Sequence, residues 1–328
     1  MIDRAALATD FLCAAGWGDA ARSALAGDAS ARSYERLIRP NQTAILMNAP
    51  PGQGDDPADF VKIGRYLSAQ GLSVPEILAT DLGQGFLLLE DFGDGLFASI
   101  LHTHPSRQNA LYALATDALI HLARAPLPAD IPNLSAPDWA NAAVFALTYY
   151  AAPLIGPPDP APLLAAMTAA LQTYADGPRI FSHRDFHAEN LILLPDRQGL
   201  RQAGILDFQL GQGGQPGYDL VSLLQDARRD VQPQIESAMV ARYATALGCD
   251  AAGFQASYAI LGTQRALRII GVFARLAQQG KARYLPMIPR VWGQLQRNLH
   301  HPALTDLRYA CAVLPPPCAE TLACLAKA

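Results

Sequence analysis

Residues 181–194 read FSHRDFHAENLILL, so His183, Arg184, Asp185, His187 and Asn190 fall within eight residues and run into an apolar stretch. A second short apolar run, AGILDF (203–208), is joined to the first by the turn-rich PDRQGL (195–200). Two such runs across a turn segment are expected to pair as a hairpin. The pairing sets Asn190, at the start of one strand, beside Asp207, at the end of the other. Strands hold the loop rigid while its polar residues face a cleft. A carboxylate in such a loop can orient a substrate hydroxyl and accept its proton, while an asparagine and a second carboxylate offer oxygens to a hard cation. The same residues would also be accounted for by a turn that they cap and tie.

The rest of the chain divides by rhythm. A helix is expected over about 3–14. LAGDASARSYERLIR (25–39) reads as a hairpin with its turn near Gly27-Asp28, and AILMNAP (44–50) as a third strand stopped by Pro50-Pro51. In DPADFVKIGRYLSAQG (56–71), Phe60, Ile63, Tyr66 and Leu67 share one helical face, Asp56 can cap the start and Gly71 can end it. VPEIL and a glycine-rich turn lead to GFLLLEDFGDG (85–95), a buried strand ending in acids and glycine. From 96 onward helices are expected at 105–124, 137–150, 160–176, 218–229, 231–247, 252–279 and 284–299. The fold class is therefore α+β: a small β-rich lobe over 1–95 and a larger, mainly helical lobe over 96–328. The proline-rich stretches near 126–137 and 153–162 read as loops between helices.

The spacing H-R-D-x-x-x-x-N, followed by an aspartate on the next strand, matches the catalytic loop of the kinase fold, where phosphoryl transfer rests on positioning and charge neutralisation. SHRDFHAENLILL, GILDFQ and GYDLVSLLQDARRD (217–230) resemble the aminoglycoside phosphotransferase and choline kinase family of small-molecule kinases. GDASARSY (27–34), ILMNAPP (45–51), GFLLLEDFGD (85–94) and QRALRIIGVFARL (264–276) are similar to the bacterial anomeric kinases of N-acetylmuramate and N-acetylglucosamine within that superfamily. The resemblance implies a protein-kinase-like bilobal fold and the cofactors ATP and Mg²⁺. It implies Asp185 as the catalytic base and Asn190 and Asp207 as magnesium ligands. Asp28, Ser30 and Arg32 would lie in the turn over the phosphates, and Leu89, Glu90 and Asp91 would form the hinge facing adenine. Asp219, His183 and Arg184 would support the loop structurally. His187 and Gln209 are candidates to touch the acceptor, although a loop histidine such as His187 is more often satisfied by a backbone carbonyl.

Two departures stand out. The third strand carries no lysine for the phosphates and has Asn48 where the sugar-kinase branch has aspartate, so another cation is needed; Arg32 is the first candidate and Arg36 the second. After Asp207, FQLGQGGQPGYDL has Leu210 and four glycines, and a mobile loop is expected there.

Charge bears on the acceptor. The chain carries a net −4, yet residues 231–328 hold ten Lys/Arg against four Asp/Glu, a balance of +6 that leaves −10 for the remainder. A basic acceptor side disfavours polycations and quaternary amines and favours a neutral or anionic amino sugar. Arg265 and Arg268, three apart on one helix, can pair with the lactyl carboxylate of N-acetylmuramate, or can simply be solvated. Other acceptors of the same chemistry are an aminoglycoside, choline, homoserine or a thiosugar. A non-catalytic nucleotide-binding module is the reading from another class. With 51% hydrophobic and 16% charged residues the chain is not disordered. No aromatic-interleaved basic run suggests nucleic acid, no apolar run is long enough for a bilayer, and no obligate protein partner is implied. Five cysteines without a CxxC pair are expected to be free thiols, and the chain to be cytoplasmic, acting, by the resemblance, in peptidoglycan recycling.

Overall fold

The computed structural model describes residues 3–25 and 32–327. It is α+β, a β-sheet N-terminal region followed by a mostly helical remainder, as expected. The chain forms two compact units, Met1–Pro105 with Ala188–Gly211, and Ser106–His187 with Gln212–Ala328.

The first unit is built on five antiparallel strands: β1 (Ala21–Leu25), β2 (Ser33–Arg39), β3 (Gln42–Asn48), β4 (Ile77–Asp81) and β5 (Phe86–Glu90), in the order β1-β2-β3-β5-β4. Leu46 lies opposite Leu88 in the β3–β5 register. Leu37, Ala44, Leu46, Phe86 and Leu88 therefore share a face, and they bury Ala8 and Leu12 of the helix Arg4–Ala14 against it. Met47, Leu87 and Leu89 are buried on the opposite face. A strand covered on both sides has to read as an unbroken apolar run, as FLLLE does. Strand β4 has no such signal in the sequence. It is an edge strand with no buried residue, so its pairing with β5 alone reveals it.

Helix Pro57–Ala69 starts where Asp56 accepts from the Ala58 N–H at 2.8 Å and ends before Gly71 at φ 77°. It buries Phe60, Ile63 and Leu67. Its Phe60 ring packs on Phe208 at 4.6 Å. A Cβ on Gly64 would sit 3.3 Å from the same ring, so glycine lets the helix approach closely.

Four short strands follow, β6 (Ile180–Ser182), β7 (Leu191–Leu193), β8 (Ala203–Ile205) and β9 (Gln212–Gly214). β7 pairs with β8 as the expected hairpin, within the first unit. β6 pairs with β9 within the second. The latter corrects the expected mobile loop: Gln212, Gly213 and Gly214 are buried ladder residues. Their glycines serve close approach rather than motion, since a Cβ on Gly214 would lie 2.7 Å from the Ser182 Cβ.

The second unit centres on the 28-residue helix Ala251–Gln278. The helix expected over 218–229 stops at Leu224. There the Asp226 carboxylate accepts from the Arg228 N–H at 2.8 Å and pairs with Arg229 at 2.9 Å, a local alternative to helical hydrogen bonding. Helices Phe97–Thr103, Thr305–Cys311 and Ala319–Leu325 were not expected. Among the described residues no helix is long and apolar enough to cross a membrane. All five cysteines are free, and only Cys311 is buried.

Gly271 sits where the central helix meets the backbone of Phe145; a Cβ there would lie 2.2 Å from the Phe145 carbonyl carbon. Because backbone, unlike a side-chain tip, cannot swing aside, Gly271→Ala is expected to cost about 1–3 kcal/mol of stability. A urea unfolding series should show a lower midpoint at unchanged slope.

Candidate active site

In the second unit, β6 delivers the chain into His183-Arg184-Asp185, and one buried carboxylate organises the turn. Asp219, in the first turn of helix Tyr218–Leu224, accepts from the Ser182 Oγ at 3.2 Å and from the backbone N–H groups of His183 at 2.6 Å and Arg184 at 2.8 Å. Burial pushes its carboxyl upward, against the opposing pull of His183, Arg184 and Ser182. Two successive N–H groups thus end on one carboxylate, and Arg184, the second of the two residues, adopts φ 75°. His183 is buried, stands edge-on to Phe186 at 5.6 Å, and its Nδ1 accepts from the Asp185 N–H at 3.3 Å.

Asp185 itself keeps 40% of its side chain exposed and lies 3.8 Å from the Arg268 guanidinium. Burial alone would raise its carboxyl. Arg268, then His187, Arg265 and His183, outweigh that and hold it below the usual carboxylate range. Arg265 is 4% exposed and donates to the Gln225 carbonyl at 3.2 Å. Burial lowers its guanidinium, with Tyr218 and Asp185 opposing. The two arginines singled out from the sequence thus converge on Asp185. His187 is 5% exposed, with its Nε2 3.5 Å from Arg228 Nη1. Burial foremost pushes its imidazole down to about 4, so it is neutral at neutral pH.

In the first unit, the β7–β8 register sets Leu191 opposite Ile205, so Asn190 and Leu206 come next. The Leu206 N–H donates to the Asn190 carbonyl at 2.9 Å, and Asp207 follows with φ 57°. Arg184 and Asp207 are the non-glycine residues with positive φ among those described, and each flanks the chemistry read from the sequence. Phe208, wedged against Phe60 and Gly64, anchors Asp207 to the helix Pro57–Ala69.

Arg32, with a side chain only 7% exposed, pairs with Asp207 at 2.9 Å and Asp55 at 3.3 Å. Gln209 donates to Asp207 at 3.1 Å and to Asp55 at 3.2 Å, which ties its amide to carboxylates of the first unit. Arg36, the second cation considered, is engaged by Asp91 at 2.8 Å and Asp94 at 2.9 Å. Asp91 also accepts from the Gly93 N–H at 2.9 Å, and Glu90 pairs with Arg197, so the segment after Leu89 and β5 is held by charged partners. Asp28 and Ser30 lie outside the described residues.

Sequence reasoning missed Asp55 and Asp226. Asp55 precedes the cap Asp56 and reads only as a helix start. Asp226 falls inside an apparently continuous helix, where nothing marks a carboxylate as turning inward.

The model of the family described as "Phosphotransferase enzyme family" matches residues 22–257. An N-acetylmuramate/N-acetylglucosamine kinase from Caulobacter vibrioides is 36% identical over 93% of this chain and 95% of its own. The enzyme of the same description from Pseudomonas aeruginosa is 31% identical over 93% of each chain. Among solved structures, a choline/ethanolamine kinase family protein from Mesorhizobium loti shares the fold at TM-score 0.63 and 15% identity, covering 99% of this chain and 100% of that one. A microcompartment-associated aminopropanol kinase shares it at TM-score 0.61 and 14% identity, covering 92% and 98%. With the family model spanning most of the chain and relatives matched nearly end to end, the chain belongs to the phosphotransferase enzyme family.

Proposed function

We propose that this enzyme transfers the γ-phosphate of ATP, with Mg²⁺, to the anomeric hydroxyl of N-acetylmuramate and N-acetylglucosamine. The observation that carries the reading is the near full-length similarity to kinases described by those two sugars, 36% identical in the first case. The setting of Asp185 supports it: Arg268 and Arg265 give that part of the second unit a positive field, suited to a neutral or anionic acceptor and hostile to a polycation.

In this reading residues 1–95 form the nucleotide-binding lobe, and 96–328 carry the catalytic loop and acceptor site. Asp185 accepts the proton of the attacking hydroxyl. Its lowered pKa keeps it ionised at neutral pH, which fits a loose transition state in which the base acts late and orients more than it pulls. Asn190 and Asp207 supply carboxamide and carboxylate oxygens at one end of the β7–β8 hairpin, donors suited to Mg²⁺. The ion, when bound with nucleotide, neutralises charge on the β- and γ-phosphates. Arg32, already beside Asp207, takes the phosphate-neutralising role left open by the missing lysine of β3. Leu89, Glu90 and Asp91 face adenine, while Asp219, His183 and Arg184 hold the loop. A requirement for ATP and five free thiols support a cytoplasmic setting.

The test is ATP consumption with Mg²⁺ against N-acetylmuramate, N-acetylglucosamine, choline, homoserine and kanamycin. Turnover is expected on the two amino sugars, with ³¹P–¹H coupling in the product to the anomeric proton. Turnover on choline or kanamycin instead would overturn the charge argument. Coupling to any other sugar proton would overturn the regiochemistry.

A further inference from the structure

The imidazole of His187 is buried, and its Nδ1 has no hydrogen-bond partner among the described residues. Its other nitrogen, Nε2, is 3.5 Å from Arg228 Nη1. A guanidinium only donates, so Nε2 has to present its lone pair. A neutral imidazole carries one proton, and with burial holding this ring neutral that proton sits on Nδ1. His187 thus holds a buried N–H that no described residue receives, two residues after Asp185 and within its electrostatic reach. Buried donors are rarely left unpaired unless a ligand completes them. The backbone of Arg228 is held in turn: its N–H donates to Asp226, whose side chain is 1% exposed. The tautomer is therefore built into the fold.

Building on the proposed function, we infer that His187 is a specificity-determining residue whose Nδ1–H donates to an oxygen of the acceptor sugar, next to the hydroxyl that Asp185 deprotonates. A sugar offers such an oxygen in a ring hydroxyl or in the acetamido carbonyl, whereas a quaternary amine offers none beyond its attacking hydroxyl. The donor thereby selects polyoxygenated acceptors by hydrogen bonding, and the arginines select by charge.

Two substitutions separate this role from a packing role. The amide nitrogen of asparagine takes the place of Nδ1, and the amide group of glutamine takes the place of Nε2. His187→Gln is expected to raise the acceptor KM about tenfold, the worth of one hydrogen bond, with the KM for ATP unchanged. His187→Asn is expected to recover most of that loss. Equal losses in both variants, a loss confined to His187→Asn, or a change in the KM for ATP would each overturn the inference. Wild-type protein gives an independent readout that needs no variant to fold. Its ¹⁵N-histidine spectrum should show His187 protonated at Nδ1, with that resonance moving when N-acetylglucosamine is added; an Nε2–H form, or no movement on saturation with a turned-over sugar, would overturn it. If the wild type turns over neither amino sugar, the proposed function fails on that result, while the tautomer still tests the reading of His187 separately.

Discussion

Asp185→Asn is expected to lower kcat by about 10²–10⁴-fold on either amino sugar, the range for losing a positioned general base. Asparagine preserves shape and removes the proton acceptor, so ATP binding should persist. The charge change has a second consequence. Arg268, 3.8 Å away, loses its carboxylate, and Arg265 loses the opposite charge that partly offsets its burial. Two less compensated guanidinium groups then face the acceptor, so the KM for N-acetylmuramate, an anion, should fall relative to that for N-acetylglucosamine. The pH profile carries a further sign. Asp185 is held below the ordinary carboxylate value, near 3.9. The base form is thus filled at neutral pH, and the acidic limb of kcat/KM should lie below that value and disappear in the variant. The stability that Asp185 gains from its cations is present above the unfolded value and is lost as pH falls through the folded one. Steady-state kinetics on both sugars settle the matter: a kcat within tenfold of wild type would place the base elsewhere.

The β7–β8 hairpin was legible because β-prone runs flanked a turn segment and because the chemistry-bearing residues sat at its ends. The helix Pro57–Ala69 was legible for the same local reasons, a capping aspartate, a periodic apolar face and a terminating glycine. What escaped was decided by tertiary partners. Strand β4 is visible only through β5, and β9 only through β6, whose Ser182 side chain leaves no room for a Cβ at Gly214. The same holds within the site. Asp185, Asn190 and Asp207 could be picked out from spacing, but not the convergence of Arg268 and Arg265 on Asp185 across some eighty residues of sequence. Arg32 was named as a cation without its partners, since the ion pairs with Asp55 and Asp207 join three distant segments. Nor does any sequence pattern give the tautomer inferred for His187, which depends on a guanidinium approaching one nitrogen while no described residue pairs with the other.

Asp219→Ala is expected to combine a loss of stability of roughly 2–4 kcal/mol with a fall in kcat of at least about tenfold, although Asp219 is assigned no contact with substrate. Its carboxylate satisfies the Ser182 hydroxyl and the N–H groups of His183 and Arg184, and alanine offers them no acceptor in its place. Each orphaned buried donor costs about 1–3 kcal/mol. The penalty of burying the carboxylate, which raises its pKa, disappears at the same time and reduces the net loss. The kinetic effect follows from backbone strain. Arg184 is held at φ 75°, a conformation that costs a non-glycine residue about 1–3 kcal/mol and persists only when surrounding bonds enforce it. Two of those bonds end on Asp219. Without them Arg184 relaxes and turns Asp185, the next residue, away from its present direction, and a displacement of about 1 Å is enough to cost 10²-fold in rate. Urea unfolding and kcat measured on the same preparation separate the two effects. A destabilised variant with wild-type kcat would show that β6 and β9 hold the catalytic loop by themselves.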